Sequence, residues 1–187
     1  MLKEIVTETT NAVVAAVNGV DDIMSAVTGT VKHQIVNVFK GTGEVGAAGI
    51  ESVSSIVSGA IKGAGQVGTS ATDAAQQVVS SAIVGVSQVG GDVIAATHEA
   101  VHGAVTTTAE AGGDVAGTAV AAVKGAITAA GEIGTDTSEA AKAAVGGALD
   151  AATGVGGDAA ETVRSALLAS VALPRDIIEA AIKGHDE

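Results

Sequence analysis

An apolar residue followed by glycine recurs every 22 residues along this chain: Val45-Gly46, Val67-Gly68, Val89-Gly90, Ala111-Gly112, Ile133-Gly134 and Val155-Gly156. Eleven residues after each glycine stands a larger apolar residue: Val57, Val79, Val101, Val123, Val145 and Leu167. Such a period constrains the fold more than any local motif, because each unit must bury its apolar face against something equivalent. An 11-residue frame runs through all 187 residues without a gap.

Within the frame, positions 1, 2, 5, 6 and 9 are mostly apolar or small, as in Val89, Gly90, Val93, Ile94 and Thr97. Eleven residues in three turns correspond to ~3.67 residues per turn, close to the ~3.6 of an α-helix. On that wheel the apolar positions fill an arc roughly 130° wide. Strict alternation, the mark of a strand, is absent. The pattern predicts an all-α protein: a very long, continuous amphipathic helix, straight or gently right-handed in its supercoil. Gly46, Gly68, Gly90, Gly112, Gly134 and Gly156 lie inside the arc, where glycine lets two backbones approach. With Val57, Val79, Val101, Val123 and Val145 they are the expected helix-packing residues.

Glycine weakens a lone helix by about 1 kcal/mol per interior position relative to alanine. The chain has 26 glycines, so the helix requires a cover for its arc. The expected cover is a second copy of the chain, in a coiled coil or bundle of two to four helices or more, with a folded-back hairpin bundle bending at the glycine pairs as the second form. A lipid surface is the alternative. A different reading is that Gly91-Asp92, Gly113-Asp114 and Gly157-Asp158 each end one helix and cap the next, giving short helices stacked as a solenoid. Because the apolar frame passes through these pairs without a phase slip, the continuous helix is the preferred expectation. Asp92, Asp114, Asp136 and Asp158 then form a solvated flank or rings of carboxylates in a parallel assembly.

Composition narrows the function. Trp, Tyr and Cys are absent and Phe39 is the sole aromatic residue. With 47% hydrophobic residues the chain is too apolar for intrinsic disorder. A net charge of −12 disfavours nucleic acid and weakens attraction to anionic membranes. No stretch is apolar enough for a spanning helix, and the start lacks a signal-peptide layout, which suggests a cytoplasmic protein, or one peripheral to a membrane.

Three segments follow from the pattern. Residues 1–44 are atypical repeats with larger side chains and a basic cluster, Lys32, His33 and Lys40. Residues 45–165 are the regular array, and 166–187 form a Leu- and Ile-rich end in which Pro174 breaks the helix.

One motif raises chemistry. His98-Glu99-Ala100-Val101-His102 matches HExxH, in which two histidines on one helix face bind zinc and the glutamate is the base. No third ligand follows in a family pattern, and both histidines sit on the polar side of the frame. His98 and His102 are therefore weak metal candidates; no catalytic residue, cofactor or enzymatic activity is expected, and a zinc hydrolase is the remote alternative.

The copy Ala122 to Glu132, AVKGAITAAGE, shows the general flavour of the array. In period and in Gly/Val/Thr/Ala content the chain resembles hendecad coiled coils, and lipid-surface proteins with 11-residue repeats such as synucleins, perilipins and apolipoproteins. The resemblance implies a structural, self-assembling rod or bundle, or a peripheral lipid-binding helix.

Overall fold

The computed structural model describes residues 2–17, 23–42 and 47–185. Among them every regular element is an α-helix, but the chain is divided into nine helices rather than drawn out as one. They are α1 (Leu2–Val17), α2 (Ile23–Thr42), α3 (Ala47–Gln66), α4 (Ala71–Gln88), α5 (Val93–Glu110), α6 (Val115–Ile133), α7 (Thr137–Val155), α8 (Ala159–Ala169) and α9 (Arg175–His185). The expected continuous helix is corrected: the solenoid-like alternative is the one adopted.

The breaks come from the feature that sequence reading placed inside the helices. Gly68, Gly90, Gly112, Gly134 and Gly156 all have positive φ and stand just past helix ends. They do not line a helix–helix seam; Gly46 lies outside the described residues. A left-handed residue just past a helix end lets the following N–H groups turn back onto the last carbonyls. After α4, Gly91 N–H donates to the Val86 carbonyl at 3.0 Å and Gly90 N–H to that of Ser87 at 3.1 Å. After α5, Gly113 donates to Thr108 at 2.9 Å and Gly112 to Ala109 at 3.0 Å.

The next residue then opens the following helix. Asp92 Oδ1 accepts from the N–H groups of Ile94 at 3.1 Å and Ala95 at 3.0 Å. Asp114 accepts from Gly117 at 2.9 Å, and Asp136 from Ser138 at 2.8 Å and Glu139 at 3.2 Å. Asp92, Asp114 and Asp136 are thus N-caps, and all three are exposed to solvent. Asp158 precedes α8 without such a bond.

The frame shows no slip because of a numerical coincidence. Helices α4 and α5 are 18 residues long, leaving four per 22-residue unit for the connector. Four residues are close to one helical turn of ~3.6. The connector replaces a turn, so the apolar arc resumes in phase although the chain has reversed.

Each helix packs on its chain neighbours and on the helices two places away. The odd helices α1, α3, α5, α7 and α9 form one layer and α2, α4, α6 and α8 the other, with the apolar faces between them. Within a layer neighbouring helices run parallel, as the order of contacts shows: Ser54 meets Gly103, and Lys62 reaches Glu110. Val57, Val79, Val101, Val123 and Val145 are fully buried in this core, with Ile35, Ile56 and Ile83. The cover for the arc is therefore supplied by other helices of the same chain.

A second set of glycines sets the spacing within a layer. A Cβ on Gly103 would lie 2.6 Å from the Ser54 carbonyl oxygen, and one on Gly59 2.6 Å from that of Val6. Gly125 approaches the Gln76 carbonyl and Gly147 that of His98 still more closely. Gly103, Gly125 and Gly147 each face a residue 49 positions earlier, the separation at which the Thr10 hydroxyl donates to the Gly59 carbonyl at 3.0 Å.

The ends of the stack are polar. Lys3, Glu4, Thr7 and Glu8 are exposed on α1, and Asp176, Glu179 and Lys183 on α9. The break expected at Pro174 lies between α8 and α9, where its carbonyl accepts from Ile177 and Ile178 at 3.1 Å each. No helix among the described residues is long and apolar enough to cross a membrane.

This arrangement predicts opposite signs for one type of substitution. Gly29→Ala, where a Cβ meets nothing within 4 Å, should stabilise the protein, by up to about 1 kcal/mol. Gly103→Ala should destabilise it by about 1–3 kcal/mol despite the better helix propensity, since the two backbones must separate. Urea denaturation followed by far-ultraviolet circular dichroism measures both; a stabilising Gly103→Ala would contradict the close packing.

Candidate functional site

The close approach at Gly147 also builds a polar cluster. Because α7 touches the His98 carbonyl at Gly147, a residue one turn further along α7 can reach the His98 ring. That residue is Asp150. His98 Nε2 lies 2.9 Å from Asp150 Oδ2. His185, near the end of α9, places its Nε2 3.1 Å from the other oxygen, Oδ1. One carboxylate thus joins imidazoles from α5 and α9, and three helices of the odd layer meet in it. The groups are partly open to solvent: His98 is 34% exposed, His185 28% and Asp150 51%.

His98 is held from both sides. Its Nδ1 lies 3.5 Å from Glu99 Oε1 while Nε2 faces Asp150. An imidazolium can donate from both nitrogens, and a neutral ring from only one. Glu99 first, and Asp150 after it, therefore raise the His98 pKa above its ordinary 6.5, although burial works against them. Glu99 is lowered, chiefly by its bond to His98. Burial pushes Asp150 up, but the bonds from His98 and His185 outweigh it and hold the group below its ordinary 3.8.

The two histidines of the HExxH match do come together, but not as a zinc pair. The rings of His98 and His102 stack with centroids 6.2 Å apart and planes 14° from parallel. His98 points both nitrogens at carboxylates, so neither is aimed at a point shared with His102. Among the described residues no group of three or more His, Asp or Glu side chains is placed to hold a metal ion. Sequence reading missed Asp150 as the partner of His98, and His185 as the second imidazole on that carboxylate. The signal for Asp150 was the 49-residue spacing of close-packed pairs, which puts Gly147 under His98. Nothing in the repeat marks His185, which lies beyond the Pro174 break.

Elsewhere the outer surface carries shallow troughs. One, about 730 Å³, runs over α3 between α1 and α5 and is lined by Val6, Thr10, Ile61, Lys62, Gln66 and Thr107. The Lys62 ammonium there lies 3.3 Å from Glu110. No protein-family model matches the chain, and no curated protein matches it.

The cluster predicts a pH dependence. With its folded pKa raised, His98 contributes stability that is fully present below about 6.5, its unfolded value, and is lost as pH rises through the folded pKa. Asp150, lowered in the fold, contributes stability present above its ordinary 3.8 and lost as pH falls through its folded pKa. His98→Gln, which keeps an N–H donor but no charge, should cost most near pH 5.5, roughly 0.5–1 kcal/mol at a site this exposed. The deficit should shrink above about pH 8. Denaturant titrations at several pH values read this directly, and a deficit that grows with pH would refute it.

Proposed function

We propose that this protein is a structural scaffold: a stack of small-residue helices that acts through its surface and its defined length, without catalysis. The observation that carries the proposal is the use of the apolar arc. Alternate helices approach at Gly59, Gly103, Gly125 and Gly147 until backbones touch, and the valines of the repeat fill the space between the layers. The ionisable cluster is spent on holding helices together, and the HExxH reading finds no support in its geometry. Parallel register within a layer presents side chains at regular intervals along the outer faces, which suits a spacer or a docking platform.

Self-association, which a continuous helix would have needed, is not required for this stack to form. The proposal therefore takes the single chain as the folded unit, and places any assembly at its outer surface. A hundredfold dilution should leave the far-ultraviolet circular dichroism unchanged and the sedimentation profile that of a folded particle. Helicity that falls on dilution would overturn the self-contained scaffold.

A second reading, a reservoir of lipid-surface helices, has one observation in its favour. Alanine, valine and glycine make up most of the core, so each helix surrenders less buried area on opening than a leucine- or phenylalanine-rich one would. Under the scaffold reading the chain stays at the bottom of a density gradient when mixed with neutral or anionic vesicles. Flotation with the vesicles would favour the lipid reading instead.

A further inference from the structure

We propose that the trough over α3, between α1 and α5, binds an aliphatic carboxylate: a medium-chain acid whose head is held by Lys62 and Thr107 and whose chain lies along α3. The inference adds a ligand to the stack and does not depend on the scaffold reading. It starts from Thr107. This residue is only 2% exposed, yet it lines the trough. Its hydroxyl makes no hydrogen bond among the described residues. A threonine inside a helix can bond to the carbonyl four residues back, as Thr97 and Thr108 do. For Thr107 that carbonyl belongs to Gly103, and Ser58 of α3 already donates to it at 3.4 Å. A buried hydroxyl without a partner costs stability. Packing does not ask for one here, since Gly63, Gly85, Ala129 and Ala151 hold the same place in the neighbouring 22-residue units. A polar group kept at this position is suited to a partner from outside.

Lys62 supplies a charge. It lines the same trough, and its ammonium lies 3.3 Å from Glu110, three residues beyond Thr107 on α5. The pair is open to water, with side chains 42% and 60% exposed. Exposed ion pairs contribute little to stability, so a ligand carboxylate can replace Glu110 on Lys62 while Glu110 turns out to solvent. One carboxylate can accept from both the ammonium and the hydroxyl. A neutral head would forgo the charge of Lys62. A head of higher negative charge would be set against Glu110 and a chain whose net charge is already −12.

Much of the remaining lining is apolar, with Val6, Ile61, Ala71 and Ala111 along it. Gly65 keeps the bed open, since a Cβ there would meet nothing within 4 Å. Sites for small molecules typically offer about 300–1,000 Å³, mostly apolar lining and a few placed polar groups. At about 730 Å³ the trough has that size and that division of labour.

Titrating the full chain with decanoate, followed through amide chemical shifts, tests this. Saturable one-to-one binding is expected, with a Kd of about 0.1–1 mM. The shifts should concentrate at residues 61–66 and 107–113. Acetate, which lacks the chain, and decylammonium, which reverses the charge, should each bind at least about tenfold more weakly. Lys62→Met, which keeps an apolar stem, should weaken decanoate about three- to tenfold. Thr107→Val should weaken it about threefold while leaving the free protein as stable as before or more so. Gly65→Leu fills the bed and improves the helix, and should abolish binding while the shifts of α4 to α6 stay in place. Shifts that never saturate, or that spread over all helices, would overturn the proposal. So would acetate or decylammonium matching decanoate, or an affinity unchanged in Lys62→Met and Thr107→Val. Loss of the α4 to α6 signals during the titration would overturn it too, because the helices would then be opening onto the acid instead of holding it in a formed trough.

Discussion

Everything in this stack depends on backbone-to-backbone contact between helices two places apart in the chain. Gly103 on Ser54 and Gly147 on His98 leave no room for a methyl group. At that separation small side chains suffice to fill the layer. A protein with one aromatic residue and a core of valine, alanine and isoleucine can then reach close packing without large side chains. The contact also fixes register, because the glycine must sit opposite a carbonyl and cannot slide along the partner helix without a clash. Register in turn positions the side chains that join helices, among them Asp150 under His98 and Glu110 beside Lys62.

Glycine plays two opposed parts within one repeat. Gly103, Gly125 and Gly147 are helical and are needed because they lack a side chain. Gly90, Gly112 and Gly134 are needed because they adopt positive φ, where an L-residue costs about 1–2 kcal/mol. The unit Val89-Gly90-Gly91-Asp92 condenses an entire reversal into four residues: last helical contact, left-handed turn, return hydrogen bond and N-cap. Little is left over for loops, so nearly every residue of the repeat either packs or caps. Two threonines on the buried faces bond back into their own helices, Thr97 to the Val93 carbonyl at 2.7 Å and Thr108 to that of Ala104 at 2.9 Å, whereas the buried Thr9 hydroxyl meets no partner among the described residues.

Much of this was legible in the sequence, but the path of the chain and the part played by the repeated glycines were not. The helical class, the 22-residue unit and the buried valines at 57, 79, 101, 123 and 145 follow from periodicity alone. The failure was to take unbroken phase as proof of an unbroken helix. Phase reports how many residues separate two apolar positions, not the path between them, and a four-residue reversal is nearly invisible to it. The local chemistry pointed the other way: Gly-Gly-Asp is a helix stop and a cap written side by side. Assigning the positive-φ glycines to the helix seam displaced attention from Gly103, Gly125 and Gly147, which occupy it. The histidine cluster was half visible. His98 was conspicuous as part of HExxH, but a motif read along one helix concealed that the carboxylate it bonds comes from α7 and is shared with α9. Asp150 was recoverable once the lateral offset was known; His185 required the path of the chain after Pro174.

The claim that carries the rest is that helices two apart lie side by side within one chain. The protein contains no cysteine, so an engineered pair reports without interference. Thr72 of α4 and Thr118 of α6 have their hydroxyl oxygens 3.2 Å apart although 46 residues separate them. In a continuous helix the same residues would stand about 69 Å apart, at ~1.5 Å per residue. Replacing both with cysteine and oxidising a dilute sample should give an intramolecular disulfide in nearly all molecules, seen as faster migration on a non-reducing gel with no dimer. Free thiols, or a covalent dimer in place of the internal bridge, would contradict the stacked fold.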